Sequence, residues 1–180
     1  MKEDDDATLV RRCREGDRAA FERLVVRYQK PVYNAALRLL RDAEEAKDVA
    51  QTTFLKVFEH LGDYDPRFKF YSWIYRIAIN ESLNAIASRR FRGESDGEEA
   101  DGAPGPDRQL EGEQMSRAIE EALTHIKPEL RAVIVLRHFL HLSYQDMGDI
   151  LHLPEKTVKS RLYSARQLLR DHLLQQGTMV

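Results

Sequence analysis

A chain of 180 residues suits one ordinary domain or two small ones, and 42% hydrophobic against 32% charged residues supplies a core and excludes a wholly disordered polymer. The formal net charge of −2 means that any nucleic-acid surface must come from the distribution of bases, because the sum announces none. One cysteine, Cys13, excludes an intramolecular disulfide and a cysteine-rich zinc site; no apolar run approaches the roughly 20 residues of a membrane span, and the acidic start (Glu3, Asp4, Asp5, Asp6) carries no apolar signal region, so the chain is expected to be soluble and cytoplasmic.

Asp17 stands where it can cap a helix over RAAFERLVVRY, in which Phe21, Leu24, Val25 and Tyr28 recur at helical spacing. Pro31 is expected to kink that helix or restart it into VYNAALRLL. Asp42, with Glu45 three residues on, forms a capping box for a helix over about 43–61. GDYDPRF reads as a loop, and a long helix follows from about Lys69 to Arg89. Residues 92–112 carry Gly, Pro and acids with almost nothing apolar, which predicts a flexible acidic linker. Beyond it, helices are expected over about 113–125 and 128–140. Ser143 with Asp146 caps a short helix, YQDMGDIL; His152 and Leu153 turn, and Pro154 opens a long final helix. The fold class this predicts is all-α, with two small helical domains over 7–91 and 113–175 joined by the linker.

Three surfaces could carry function. On the final helix Val158, Leu162, Ala165, Leu169 and Leu173 form one stripe, and Lys156, Lys159, Ser160, Tyr163, Arg166 and Arg170 the opposite face. A capped helix, a tight turn and a helix with a basic outer face make the helix-turn-helix pattern, whose second helix enters a DNA major groove. A solvated basic face is the plainer alternative, and the turn argues for DNA. On the helix from Lys69 to Arg89, an apolar side (Ile74, Ala78, Ile79, Ile86) opposes an arc of Lys69, Trp73, Arg76, Asn80 and Asn84. The preceding loop adds Tyr64, Arg67, Phe68 and Phe70, and Arg89, Arg90 and Arg92 continue a basic track. Rings beside cations suit unstacked bases of a single strand, although Trp73 also fits the edge of a core. On the helix over 43–61, Ala46, Val49, Ala50, Thr53 and Val57 form the buried stripe, leaving Asp48, Gln51, Leu55 and Phe58 on the other side. Leu55 and Phe58 there read as a partner-binding spot or as residues buried by a larger domain.

The run from Asp17 to Leu61, followed by FKFYSWIYRIAINESLN, resembles region 2 of extracytoplasmic-function (ECF) sigma factors of bacterial RNA polymerase, in the sigma-70 superfamily. LSYQDMGDILHLPEKTVKSRLYSARQLLR resembles their region 4, and the two signatures stand in the right order. The resemblance implies an alternative sigma factor that binds core polymerase, through the clamp helices of its largest subunit and the flap of the beta subunit, and that is held in check by an anti-sigma factor. Asp48, Gln51, Phe54, Leu55 and Phe58 would grip the clamp helices. Tyr64, Phe68, Lys69, Phe70, Trp73, Arg76, Asn80, Asn84, Arg89 and Arg90 would read and open the −10 element. Lys156, Thr157, Lys159, Ser160, Arg161, Tyr163 and Arg166 would read the −35 element as duplex. The acidic linker would thread the polymerase channels as an RNA mimic, or serve as a tether. The sequence departs from many relatives in His152 and Lys156, where they have glycine; a left-handed backbone is expected at His152.

Rival functions fit less of the chain. No Gly-rich phosphate loop, Ser-His-Asp arrangement or HExxH motif occurs, so no enzyme, cofactor or metal is expected. A metal site at His138 and His141, or a redox role for Cys13 through a thiol pKa lowered by Arg11, Arg12 and Arg14, are weaker readings. A stand-alone helix-turn-helix regulator accounts for the second half of the chain but leaves Trp73, the Tyr64–Phe70 loop and the Leu55/Phe58 face without work, and a protein-interaction module does not need the basic helix.

Overall fold

The computed structural model describes residues 4–93 and 110–176, the latter with side chains from residue 117 onward. Among the described residues every regular element is helical. The first half holds α1 (Asp6–Arg14), α2 (Arg18–Leu40), α3 (Ala43–His60), a single 3-10 turn (Leu61–Asp63) and α4 (Phe70–Phe91). The second holds α5 (Leu110–Thr124), α6 (Pro128–Ile134) with a π-helical turn (Val135–Phe139), α7 (Tyr144–Leu151) and α8 (Glu155–Gln175). Most of the expected linker, 92–112, lies outside the described residues, and α5 begins within it.

Local signals set the helix starts. Asp5, Asp17, Asp42 and Ser143 each accept a hydrogen bond from the backbone N–H three residues on, which satisfies a donor the helix itself leaves open. Of the two alternatives read from the sequence, Pro31 does not restart a new helix. The helix runs through it for 23 residues and buries Leu24, Tyr28, Val32, Ala35, Ala36, Leu39 and Leu40 against α1, α3 and α4. The one hydrogen bond that proline cannot donate is outweighed by that burial, each large apolar side chain contributing roughly 1.5–3 kcal/mol. Thr53 and Ser82, buried on α3 and α4, turn their hydroxyls back to the carbonyls of Val49 and Ala78, at 2.7 and 2.8 Å.

The N-terminal acids have structural work. Asp4 pairs with Arg12 and Arg23, and Asp6 with Arg27 and the Tyr28 hydroxyl, so α1 is strapped across α2. Arg14 donates to the carbonyls of Leu61, Gly62 and Tyr64 and so anchors the start of the loop before α4.

The two halves pack together. Arg131, buried on α6, donates to the Leu39 carbonyl at the end of α2 and to Thr124 and Ile126 at the end of α5. Arg38 pairs with Glu120 at 3.1 Å and lays its guanidinium 3.9 Å from the centre of the Phe139 ring. Arg41, at φ 58° where α2 ends, donates to the Glu120 carbonyl at 2.9 Å. Helix α7 rests across α4.

Candidate nucleic-acid interface

Helices α7 and α8 are set by the turn between them. At Gly148 a Cβ atom would lie 2.8 Å from the Leu153 carbonyl oxygen, closer than contact allows, so the turn folds back onto α7 only over glycine. Leu153 N–H closes that turn by donating to the Gly148 carbonyl at 3.0 Å. His152 ends α7 at φ 52°, ψ 45°, the left-handed conformation expected of that position. Val158, Leu162, Ala165 and Leu173 of α8 are buried, and Leu169 partly so.

The outer face of α8 is presented to solvent. Lys156, Lys159, Ser160, Tyr163 and Arg166 are exposed, Tyr163 at 67%, with Thr157 and Arg161 half-buried beside them. Lys159 pairs with Glu155 one turn back at 2.6 Å and lies 5.2 Å from the Tyr144 ring centre. Arg166 Nε donates to His138 Nε2 at 3.2 Å, a bond that requires neutral imidazole. Burial and the adjacent Arg166 both lower the His138 pKa, which keeps it neutral.

Helix α3 turns its unburied side outward. Leu55 is 56% and Phe58 61% exposed, with Asp48 and Gln51 exposed a turn or two earlier and Phe54 half-buried between. No larger domain wraps them among the described residues. Phe58 keeps its ring edge-on to Phe21 at 5.2 Å, which fixes where the apolar spot points.

The third surface, on α4 and its loop, differs from expectation. Phe68 stays exposed, Trp73 is half-buried, and Asn80, Asn84 and Arg90 are exposed. Tyr64 and Phe70 are buried: Phe70 packs edge-on to Tyr64 and Tyr28, and Trp73 lies 5.3 Å from Tyr64. These rings form the base of the loop and pack on one another in this structure. Arg89 is buried as well. It is 6% exposed, donates to the Leu40 carbonyl at 2.9 Å and meets Glu45 at 3.1 Å, so it closes the ends of α2 and α4 and forms no part of an exposed basic track.

Two cations of this surface are engaged by the other half. Lys69 Nζ lies 3.0 Å from the Asp146 carboxylate, and Arg76 donates to the Asp149 carbonyl at 2.7 Å. Contacts with Tyr71 and then Asp146 hold the Lys69 ammonium above its ordinary range. Burial alone would raise the Asp146 carboxyl, but hydrogen bonds from Ser143 and Lys69 outweigh it and hold it below the ordinary value. A cleft of about 480 Å³ between Phe68, Arg76, Gly148, Asp149, His152 and Glu155 separates the loop from the turn of the helix-turn-helix.

Among the described residues no group of three or more His, Cys, Asp or Glu could hold a metal ion. Cys13 is half-buried, and burial with the nearby Asp17 raises its thiol pKa against the weaker pull of Arg12, the opposite of a thiol activated by neighbouring arginines. Among the described residues no helix is long and apolar enough to cross a membrane.

Comparison with known proteins gives this geometry a lineage. The sigma-70 region 2 family matches residues 24–92, and the sigma-70 region 4 family residues 116–169. RNA polymerase sigma-H factor of Pseudomonas aeruginosa is 34% identical, across 97% of this chain and 96% of that protein. ECF RNA polymerase sigma factor SigW of Bacillus subtilis is 30% identical, across 91% of this chain and 94% of its own length. Among solved structures, CnrH in complex with the cytosolic domain of CnrY superposes with a TM-score of 0.73 at 26% identity, over 94% of this chain and 97% of that one. Two family matches that frame the α3–α4 and α7–α8 surfaces, and relatives that span nearly the whole chain, place the protein among the sigma-70 family sigma factors of the ECF type, which are non-enzymatic transcription-initiation factors.

Proposed function

We propose that this chain acts in the cytoplasm as an alternative sigma factor that carries core RNA polymerase to promoters with paired −35 and −10 elements. The observation that carries this reading is the joint presence of the solvent-facing basic helix α8 and the apolar Leu55/Phe58 spot on α3. A stand-alone regulator needs only the first. Asp48, Gln51, Phe54, Leu55 and Phe58 would seat on the polymerase clamp. Lys156, Thr157, Lys159, Ser160, Arg161, Tyr163 and Arg166 would meet the −35 duplex, those near the start of α8 at base edges and the later ones at phosphates. Phe68, Lys69, Trp73, Arg76, Asn80, Asn84 and Arg90 would hold the melted −10 strand.

Control by an anti-sigma factor belongs to the same reading. CnrH was solved with the cytosolic domain of CnrY bound. A cleft of about 980 Å³ here lies between α2 and the α6–α8 side, lined by Lys30, Arg38, Phe139, Arg166, Leu169 and Arg170. Cations over an apolar floor suit an acidic amphipathic helix.

Multi-round transcription with purified core polymerase, with and without the protein, on a promoter library tests the proposal. Transcripts sharing paired upstream elements near −35 and −10 are expected. No stimulation by folded protein, together with specific duplex binding in the absence of polymerase, would favour the stand-alone regulator.

A further inference from the structure

We propose that Arg14 is a positioning residue for promoter recognition: from α1 it fixes the backbone of loop 61–68, and through that loop it sets which bases of the −10 strand are accepted beside Phe68. The inference rests on the reading of Phe68 and the α4 face as the −10 surface.

Residues 64–69 lie outside any helix, so side chains must hold them. The tip closes on itself. Phe68 N–H donates to the Asp65 carbonyl at 3.1 Å, and the Asp65 carboxylate accepts from Arg67 N–H at 3.0 Å and pairs with the Arg67 guanidinium. These bonds shape the turn but do not attach it to the rest of the protein.

Attachment comes from Arg14 and Tyr64. Arg14 Nε donates to the Leu61 carbonyl at 3.0 Å, and Nη2 to the carbonyls of Gly62, at 3.2 Å, and Tyr64. The carbonyls gather where α3 and its 3-10 turn end, the negative end of the helix, and a planar fork of N–H donors matches them. The Tyr64 ring lies 5.8 Å from the same guanidinium and packs on Phe70 and Trp73. Its hydroxyl donates to the Phe68 carbonyl. A continuous path of contacts therefore runs from Arg14 through Tyr64 to Phe68, whose ring is 49% exposed. The near end of the path is also fixed, because Asp4 and Asp6 strap α1 to α2.

Lysine cannot replace this fork. It keeps the charge but is a point donor that holds no set of carbonyls in fixed directions. A preformed loop discriminates between bases because the wrong base must distort it, whereas a loose loop adapts to several. Loss of the fork should therefore relax sequence preference and not merely weaken binding. Arg14 is itself exposed, so direct contact with a phosphate is the rival role, and that role lysine would fill.

Transcription by the holoenzyme on a promoter library randomised across the −10 element, with one −35 sequence, reads base preference position by position. Arg14→Lys is expected to flatten the preference at one or more −10 positions at least fivefold, with −35 duplex affinity within twofold of wild type. Tyr64→Phe keeps the ring and leaves Arg14 intact but removes the tie to the Phe68 carbonyl. It should flatten the same positions, and it carries the test should Arg14→Lys disturb α1. Holoenzyme binding to promoter DNA with a single-stranded −10 segment should keep its salt slope in Arg14→Ala. A slope shallower by about 0.7, with wild-type preferences in Arg14→Lys, would make Arg14 a phosphate contact and overturn the proposal. A uniform fall in transcription with preferences unchanged in both Arg14→Lys and Tyr64→Phe would make the path merely structural and overturn it too. Phe68→Ala separates these failures from that of the underlying reading. Unchanged preferences there would remove the loop from the −10 element, and with it the proposal; altered preferences beside an indifferent Arg14→Lys and Tyr64→Phe would overturn the positioning role alone.

Discussion

Helices α8 and α4 both carry cations and aromatic rings on one face, yet the free chain treats them differently. On α8 the polar face meets solvent, and the ties of Lys159 to Glu155 and of Arg166 to His138 are exposed ones. Exposed pairs of that kind contribute some 0.2–1 kcal/mol and yield readily to a DNA phosphate. On α4 and its loop, Tyr64, Phe70 and Arg89 have entered the core, and Lys69 and Arg76 are held by α7. The difference follows from burial. Helix α8 packs on α5, α6 and α7, and α4 on α2, α3, α6 and α7, but α8 buries four of its 21 residues and α4 nine of its 22. A residue type that reads as a ligand contact on a sparsely buried helix reads as mortar on one with more than twice as many buried positions.

The presented side of α3 gives the hardest test of that contrast. If exposure marks use, Leu55→Asp or Phe58→Asp should lower core-polymerase affinity by roughly 100-fold or more, the scale of an interface anchor. Helix content by circular dichroism should hold, because neither side chain fills the core. A protein that loses helicity instead would place both residues in the fold and remove the distinction between α3 and α4.

Arg89 tests the covered side. Arg89→Ala leaves the Leu40 carbonyl and Glu45 without their buried donor, and should cost about 2–4 kcal/mol of stability. The melting temperature should fall by roughly 5–15 °C. The comparison breaks if the variant melts like wild type but loses open-complex formation, since Arg89 would then be a DNA contact.

These two cases show what the sequence could and could not carry. Asp17, Asp42 and Ser143 were legible as caps because capping is settled within four residues. The stripe of α8 and the left-handed His152 were legible for the same reason. Periodicity correctly put Leu55 and Phe58 outside the buried stripe, but could not say whether another element covered them. That α2 continues through Pro31 was not legible because the packing of α2 on three helices overrides one missing hydrogen bond. The burial of Arg89, Tyr64 and Phe70 was not legible because an environment built by several helices has no local signature. The ties from Lys69 to Asp146 and from Arg14 to the Leu61–Tyr64 loop join residues 77 and 47–50 positions apart, a separation at which helical periodicity says nothing.

On α8 the expected effect is smaller and takes a particular form. Lys159→Ala with Arg166→Ala should weaken −35 duplex binding by about 10- to 30-fold at fixed salt. The slope of log affinity against log salt should become shallower by about 2, near 0.9 for each phosphate that is no longer neutralised. An unchanged slope with weaker binding would reassign the two from phosphates to base edges.

The smallest effect separates backbone from side chain at the turn. His152 occupies φ 52°, ψ 45°, where a Cβ costs on the order of 1–2 kcal/mol and glycine costs nothing sterically. Glycine also adds freedom to the unfolded chain, which returns part of the gain. His152→Gly should therefore stabilise the protein by about 0.5–1 kcal/mol, a rise of roughly 1–4 °C in melting temperature. The imidazole also lines the cleft facing Phe68 and Arg76, so the same substitution could remove a wall between the halves. Asparagine distinguishes the two roles, since it tolerates the left-handed region and keeps a polar side chain in the cleft. If Gly and Asn both stabilise, with Gly the larger and −35 affinity constant, the position matters only for its backbone. If Gly destabilises while Asn does not, the side chain at 152 holds the turn against the loop, and the covered state of α4 depends on one more residue than its hydrogen bonds reveal.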